Sequence, residues 1–257
     1  MTLAGGAALV VAFALVERRV DAPILPLWVF TRRVLLASSL VSVCVGAVVL
    51  GLTSYVPTFA QGVLGAGPVT AGFALATLTI GWPLAAAYSG RLYLRIGFRL
   101  TALVGSALAV AGSVAVIFAA SAESLAALAV ACFVVGAGLG FIASPTLIAA
   151  QSSVGWAERG VVTGSNLFAR SLGSAVAVAG LGAVANAVID GGVGGGAQPS
   201  GQLLADASHA VFVAVAVVAF VMVGAIVMMP GRSAATSETG TQEPAEAVDD
   251  REAARAG

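Results

Sequence analysis

The 257-residue chain has too few charged residues to coat a water-soluble globule. Hydrophobic residues make up 59% of it and charged residues 9%, whereas about a quarter of the residues are charged in ordinary soluble domains. The formal net charge is zero and the arginines form no basic face, which excludes a nucleic-acid-binding protein. The composition predicts an integral membrane protein that is embedded in the lipid bilayer.

Apolar runs alternate with short polar connections along the chain. A helix that crosses a bilayer needs about 20 residues, and the runs lack the alternating pattern of barrel strands. We therefore predict an all-α polytopic membrane protein. The seven predicted transmembrane spans cover residues 2–16, 34–57, 68–90, 100–120, 124–149, 160–189 and 208–230.

The two ends of the chain differ from the six long spans. The run at 2–16 is short and lacks the positive n-region and cleavage site of a signal peptide, so it suggests a helix that follows a missing upstream part. Residues 17–33 combine basic ends with prolines and large apolar side chains, which is typical of an interfacial linker. We therefore predict four units: 1–16, this cytoplasmic linker, a six-helix body at 34–230, and a disordered cytoplasmic tail at 231–257.

Arginine occurs in every second connection between spans. The chain has twelve basic residues, all of them arginine, and the intervening connections carry none. Short basic loops stay in the cytoplasm because moving them across the membrane is unfavourable. With seven spans, this pattern predicts an outside N-terminus and a cytoplasmic C-terminus in the plasma (inner) membrane. The glycine-rich segment 190–208 then becomes a flexible outer loop.

Polar side chains are unevenly distributed among the predicted spans. They concentrate in the second, third, fifth and sixth spans, which predicts four cavity walls, and the fourth and seventh spans predict a lipid-facing rim. Arg170 in the sixth span has two interpretations. It is either a cavity cation that meets an anionic substrate group or a carboxylate of a missing half, or an anchor that snorkels to the headgroups. Asn166, Gln151 and Tyr55 are further candidates for the substrate cavity.

Glycine and proline mark expected contacts and bends of these helices. Small residues at suitable spacing let two helix backbones approach closely in a membrane. The pairs are Gly136 with Gly140, Gly160 with Gly164, and Gly173 with Gly180. Pro83 and Pro145 predict kinks, because proline removes a hydrogen bond inside a helix.

Several chemistries find no support in the sequence. No Asp or Glu lies within a predicted span, so a buried titratable group for proton coupling is not apparent. Cys44 and Cys132 lie in apolar runs and His209 stands alone, which predicts neither a disulfide nor a metal site. There is no phosphate-binding loop, zinc-protease motif or Ser/His/Asp set, so we expect no enzyme and no cofactor.

The connection between the third and fourth spans resembles a family signature. It reads Gly90-Arg91-Leu92-Tyr93-Leu94-Arg95-Ile96-Gly97-Phe98-Arg99. This resembles the cytoplasmic signature loop of the major facilitator superfamily, Gly-x-Leu-x-Asp-Arg-x-Gly-x-Arg. The matching residues are Gly90, Leu92, Arg95, Gly97 and Arg99. Leu94 stands where the family has the acid that helps to latch its two halves.

Other stretches resemble the C-terminal part of a fourteen-span drug:proton antiporter. They are Pro23–Leu27 with Phe30, Tyr55–Pro57 with Gln61–Gly65, Gly136–Gly140 with Gln151, and Arg159–Gly160 with Arg170 and Gly173. The resemblance implies that the last six spans form a C-terminal major-facilitator half. It also implies that the first, second, fourth and fifth helices of this half are nearest the cavity.

The resemblance further implies efflux of drugs or other small amphipathic molecules by alternating access, coupled to protons. The family's proton-coupling acids belong mainly to the first half. We therefore expect the chain to be incomplete alone and to work with a separately encoded N-terminal half, or to be a truncated product. The alternatives are a non-transporting membrane scaffold or partner subunit, and a seven-helix receptor.

Overall fold

The structure, a computed structural model, describes residues 31–192 and 201–229. It contains six long α-helices within these ranges. They are α1 Arg33–Gly62, α2 Pro68–Ile96, α3 Phe98–Ser121, α4 Leu125–Ser152, α5 Arg159–Gly192 and α6 Gly201–Val227. Each is long and apolar enough to cross a membrane, and the described ranges contain no strand. The predicted all-α polytopic fold is confirmed.

The last six predicted spans all correspond to helices, and each helix is longer than its predicted span. The span at 2–16, residues 17–30 of the linker and the tail at 231–257 lie outside the described residues. Helix α5 continues to Gly192 and α6 begins at Gly201, so the predicted outer loop is helical at both ends. Hydropathy locates the part of a helix that lies in hydrocarbon, whereas the backbone stays helical into the headgroup region.

The segment predicted as a cytoplasmic signature loop is helical at all but one residue, so the loop prediction was wrong. Helix α2 runs through Gly90, Leu92 and Arg95 to Ile96, and Arg99 lies in the first turn of α3. The break is Gly97, whose φ of 89° and ψ of 163° belong to a region that only glycine adopts readily. The arginines interrupt the apolar pattern from which the span was predicted. The helix nevertheless continues to Gly97, because arginine and leucine both favour helix formation.

Helices α1 and α4 lie at the centre of the bundle, and each packs mainly against two other helices. Helix α4 packs most extensively against α2 and α3, and α1 packs against α5 and α6. As a result α1 and α4 are the most buried helices of the bundle, whereas α2 and α5 are the least buried. Helices α2 and α5 therefore present large free surfaces on the described part of the chain.

Glycines make the closest of these helix contacts. Gly136 and Gly140 of α4 lie against backbone carbonyls of α2, and Gly173 of α5 lies against the carbonyl of Val43 in α1. A Cβ atom at any of these three positions would overlap the neighbouring backbone. The predicted packing role of Gly136, Gly140 and Gly173 is confirmed.

Other glycines at the predicted spacing make no such contact. A Cβ atom added at Gly160, Gly164 or Gly180 would meet nothing within 4 Å. The packing prediction was wrong for these three in the described part of the chain. Spacing along a helix defines a face, but it does not determine whether another helix covers that face.

The arginine-bearing ends of the helices meet at one end of the bundle. Nη1 of Arg32, just before α1, donates a hydrogen bond of 3.1 Å to the carbonyl of Ser153, just after α4. Val34 of α1 and Phe98 of α3 pack together with residues at the ends of α4 and α6. The up-and-down threading of the six helices thus collects the described arginines other than Arg170 at one end, which is called the arginine end below.

Candidate functional site

Arg170 lies near the middle of the bundle and reaches across to α2. Its guanidinium carbon is 5.3 Å from the centroid of the Trp82 ring, which is a cation–π distance. Trp82 is the central residue of the 29-residue helix α2. The Arg170 carbonyl lies against Gly46, close to the middle of the 30-residue helix α1. At 1.5 Å per residue, both neighbouring helices place this site about 20 Å from their arginine ends.

This depth distinguishes between the two interpretations of Arg170. An arginine that snorkels extends its side chain toward the headgroups. The guanidinium of Arg170 instead extends sideways to the central residue of another helix. The geometry therefore favours a mid-bundle cation over a headgroup anchor.

The charge of Arg170 has no acidic neighbour in the described part of the chain. Its Nε atom is buried without a hydrogen-bond partner there. The described acids are Glu123, Glu158, Asp190 and Asp206, all of them in or near the connections between helices. Charged groups at mid-membrane depth are costly and usually face a partner or a water-filled cavity. Arg170 is thus the clearest candidate for a binding group.

Asn166, one turn before Arg170, is taken up by contacts between helices. It is only 7% exposed. Its Oδ1 accepts hydrogen bonds from the hydroxyls of Ser38 at 2.9 Å and Ser42 at 2.6 Å, both in α1. Its Nδ2 donates to the carbonyl of Val162 at 3.3 Å. In this structure Asn166 joins α5 to α1 instead of facing an open cavity, because its polar atoms already have partners.

The Asn166→Ala substitution is expected to lower the free energy of unfolding by about 1 kcal/mol, since polar contacts between membrane helices contribute on the order of 0.6 to 1.7 kcal/mol. Unfolding of the purified chain in detergent, followed by circular dichroism, measures the change. Asn186→Ala is the control, because Asn186 is exposed on the same helix and its loss should be nearly neutral. Equal effects of the two substitutions would contradict this role for Asn166.

Gln151 and Tyr55 lie away from Arg170. Nε2 of Gln151 donates a hydrogen bond of 2.8 Å to the hydroxyl of Thr163, which ties the last turn of α4 to the first turns of α5. Tyr55 is half-buried in the outer part of α1 and packs against the main apolar core. Of the four predicted cavity residues, the structure leaves only Arg170 with a buried polar atom that lacks a partner.

Trp82 was not among the predicted cavity residues. The sequence placed it beside Pro83, in a predicted kink, and the helix of the structure continues through that proline. No spacing rule connects Trp82 with Arg170, because they lie on different helices far apart in the chain. The only signal in the sequence was an aromatic residue at the centre of an apolar span, which is equally typical of ordinary packing.

The signature segment forms a compact junction at the arginine end. Tyr93 of α2 stacks on Phe98 of α3, with ring centroids 4.9 Å apart. Nε of Arg99 is buried without a hydrogen-bond partner among the described residues. A Cβ atom added at Gly90 would meet a ring carbon of Tyr93 at 4.0 Å, which is ordinary van der Waals contact. No group of three or more His, Cys, Asp or Glu side chains that could hold a metal comes together in the described ranges.

The described residues form a bundle of six membrane-length helices, with a glycine break at Gly97 and an arginine at mid-depth. Residues 2–178 match the family model of the Major Facilitator Superfamily, and the chain belongs to this family. The predicted family is thereby confirmed, and it consists of membrane transporters, which points away from an enzyme. The detail of fourteen spans stays a prediction.

Curated relatives of the chain carry the names of transporters and of drug-resistance proteins. The chain is 28% identical to a multidrug transporter protein of Bacillus subtilis over 179 residues, which are 69% of the chain and 33% of that relative. It is 32% identical to the puromycin resistance protein of Streptomyces alboniger over 246 residues, which are 92% of the chain and 48% of that relative. A triacylglyceride transporter of Mycolicibacterium smegmatis is 34% identical over 162 residues, which are 59% of the chain and 29% of that relative. The chain thus spans between about a third and a half of the length of these relatives.

Proposed function

We propose that the chain forms the C-terminal half of an efflux transporter that exports drugs or other small amphipathic molecules. The observation that carries the proposal is the family match, together with relatives named for multidrug transport and puromycin resistance. In such transporters the substrate site lies near the membrane midplane, between two bundles that rock against each other. The mid-depth position of Arg170 and the free surfaces of α2 and α5 support this role.

The proposed arrangement in the membrane follows from the positions of the arginines. The arginine end faces the cytoplasm of the inner membrane, because basic connections stay on that side. The N-terminus then lies outside and the C-terminus inside if residues 2–16 form a further span. Arg170, with Asn166, Gln151 and Tyr55 as weaker candidates, belongs to the wall of the substrate cavity. Proton coupling depends on acids in the rest of the transporter.

A second bundle is required in this proposal. Alternating access needs two halves that enclose the site in turn, and the chain covers less than half of the puromycin resistance protein. We expect the chain alone not to export drugs. A separately encoded N-terminal half, or a first half joined to it, would complete the cavity.

Puromycin accumulation in a drug-sensitive bacterium tests this function. The first half of the Streptomyces alboniger relative is fused to the chain, and the chain alone and that first half alone serve as controls. We expect only the fusion to lower the amount of puromycin in the cells. Export by the chain alone would refute the requirement for a second bundle. Stable fusion protein without export of puromycin or of a wider drug panel would favour the scaffold alternative.

A further inference from the structure

We propose that Arg170 and Trp82 form a carboxylate-binding site at mid-depth in this half. The carboxylate comes either from the transported molecule or from another part of the assembled transporter. The site's role in transport rests on the function proposed above, but binding to it is a property of the chain itself. The proposal concerns the charge of the ligand, which the family match does not define.

The backbones on both sides of the site are held in place. The carbonyl of Arg170 lies against Gly46 of α1, and the carbonyl of Trp82 lies against Gly140 of α4. The hydroxyl of Ser174 adds a hydrogen bond of 3.1 Å to the Gly46 carbonyl. These contacts fix the two helices relative to the central pair α1 and α4. The packing of four helices thus sets the positions of the two residues, and the guanidinium lies over the indole ring.

The site lacks the anion that a mid-depth guanidinium needs. Nε of Arg170 is enclosed and has no acceptor among the described residues. Asn166 and Ser174, each one turn from Arg170 on α5, already make hydrogen bonds with α1. Further along, Gln151 donates to Thr163. The described polar side chains around the site thus leave the positive charge uncompensated, although such a charge inside a membrane protein normally faces a partner.

The geometry favours a carboxylate over a cation as the ligand. A free indole face attracts cationic groups, but one face of Trp82 is already covered by the guanidinium. A second positive charge would be repelled by Arg170. The planar guanidinium offers donors in a fork that matches a carboxylate. The Arg170–Trp82 site itself therefore favours a carboxylate over a cationic group.

Quenching of Trp82 fluorescence tests the site in the full 257-residue chain. Trp28 and Trp156 are replaced by phenylalanine, which leaves Trp82 as the only tryptophan. The purified protein in zwitterionic lipid nanodiscs is titrated with 2-bromodecanoate, and separately with the uncharged 2-bromodecan-1-ol. Bromine quenches indole fluorescence at short range. We expect saturable quenching by the carboxylate at a concentration at least about tenfold lower than by the alcohol, as for a charge-assisted contact.

Variants at position 170 test whether the guanidinium of Arg170 causes the preference for the carboxylate. Arg170→Gln should weaken binding of 2-bromodecanoate about tenfold or more and leave the alcohol unchanged, whereas Arg170→Lys should keep part of the preference because the charge remains. Circular dichroism melting shows that each variant is folded, and Asn186→Ala serves as a matched control on the same helix. Equal binding of acid and alcohol by the unsubstituted protein would overturn the proposal. So would an unchanged preference in folded Arg170→Gln.

The assembled transporter distinguishes the two sources of the carboxylate. If the transported molecule supplies it, Arg170→Gln in the fusion should lower export of anionic substrates and spare neutral ones. If another part of the transporter supplies it, 2-bromodecanoate should bind the chain alone and be excluded from the fusion. If 2-bromodecanoate binds the chain but a stable fusion exports no substrate, the proposed transport function is refuted and the carboxylate site still stands.

Discussion

Gly136→Ala is expected to destabilise the chain strongly, although alanine is the better helix former. A Cβ atom at this position would overlap the carbonyl of Leu78, which belongs to the backbone of α2 and cannot rotate away. Overpacking of this kind costs about 1 to 3 kcal/mol of stability. We expect a loss at the upper end of this range, because the helix backbone cannot move aside as a side chain can. Thermal unfolding in detergent micelles, followed by circular dichroism, measures the loss.

Gly180→Ala is the matched control for this substitution. Gly180 also lies inside a long helix, but a Cβ atom there meets nothing within 4 Å. The change should stabilise the chain by roughly 0.5 to 1 kcal/mol, because alanine loses less conformational freedom in a helix. The two substitutions therefore have opposite expected signs. If Gly136→Ala also stabilised the chain, the close contact between α4 and α2 would be wrong.

The second large effect is expected at the junction of α2 and α3, for Gly97→Ala. Gly97 has φ of 89° and ψ of 163°, and residues with a side chain are strained there by on the order of 1 to 3 kcal/mol. The residue is also buried, so the junction has little room to relax. We expect a lower unfolding temperature in detergent micelles and a disturbed stacking of Tyr93 on Phe98, visible in near-ultraviolet circular dichroism.

Gly90→Ala, seven residues earlier, is the control for Gly97→Ala, because it adds the same methyl group at a glycine with a helical backbone. Gly90 lies in the helical part of the signature segment, and the closest atom to an added Cβ is a ring carbon of Tyr93 at 4.0 Å. An alanine at this position is expected to be neutral or slightly stabilising. A similar loss of stability for both variants would mean that the positive φ at Gly97 is not what makes glycine necessary.

The candidate site was only partly predictable from the sequence. Arg170 was identified because a guanidinium within an apolar span is unusual in itself, whatever surrounds it. Asn166 and Gln151 were identified by the same rule, but both use their polar groups to join helices. A polar residue in a span needs a partner, and the sequence does not tell a neighbouring helix from a cavity. Trp82 belonged to a predicted cavity wall but was not singled out from the other residues of its span, and only its position opposite Arg170 distinguishes it.

Composition and order along the chain determined that this is a membrane protein, where its long helices lie and which connections carry arginine. These properties follow from the transfer of each segment between water and lipid, which depends on local sequence alone. The signature residues similarly determined the family. Only the tertiary structure decided that Gly136 is packed and Gly180 is open, and that Arg170 meets Trp82 at mid-depth. Such contacts depend on how helices distant in sequence come together, which the pattern of a single helix cannot define.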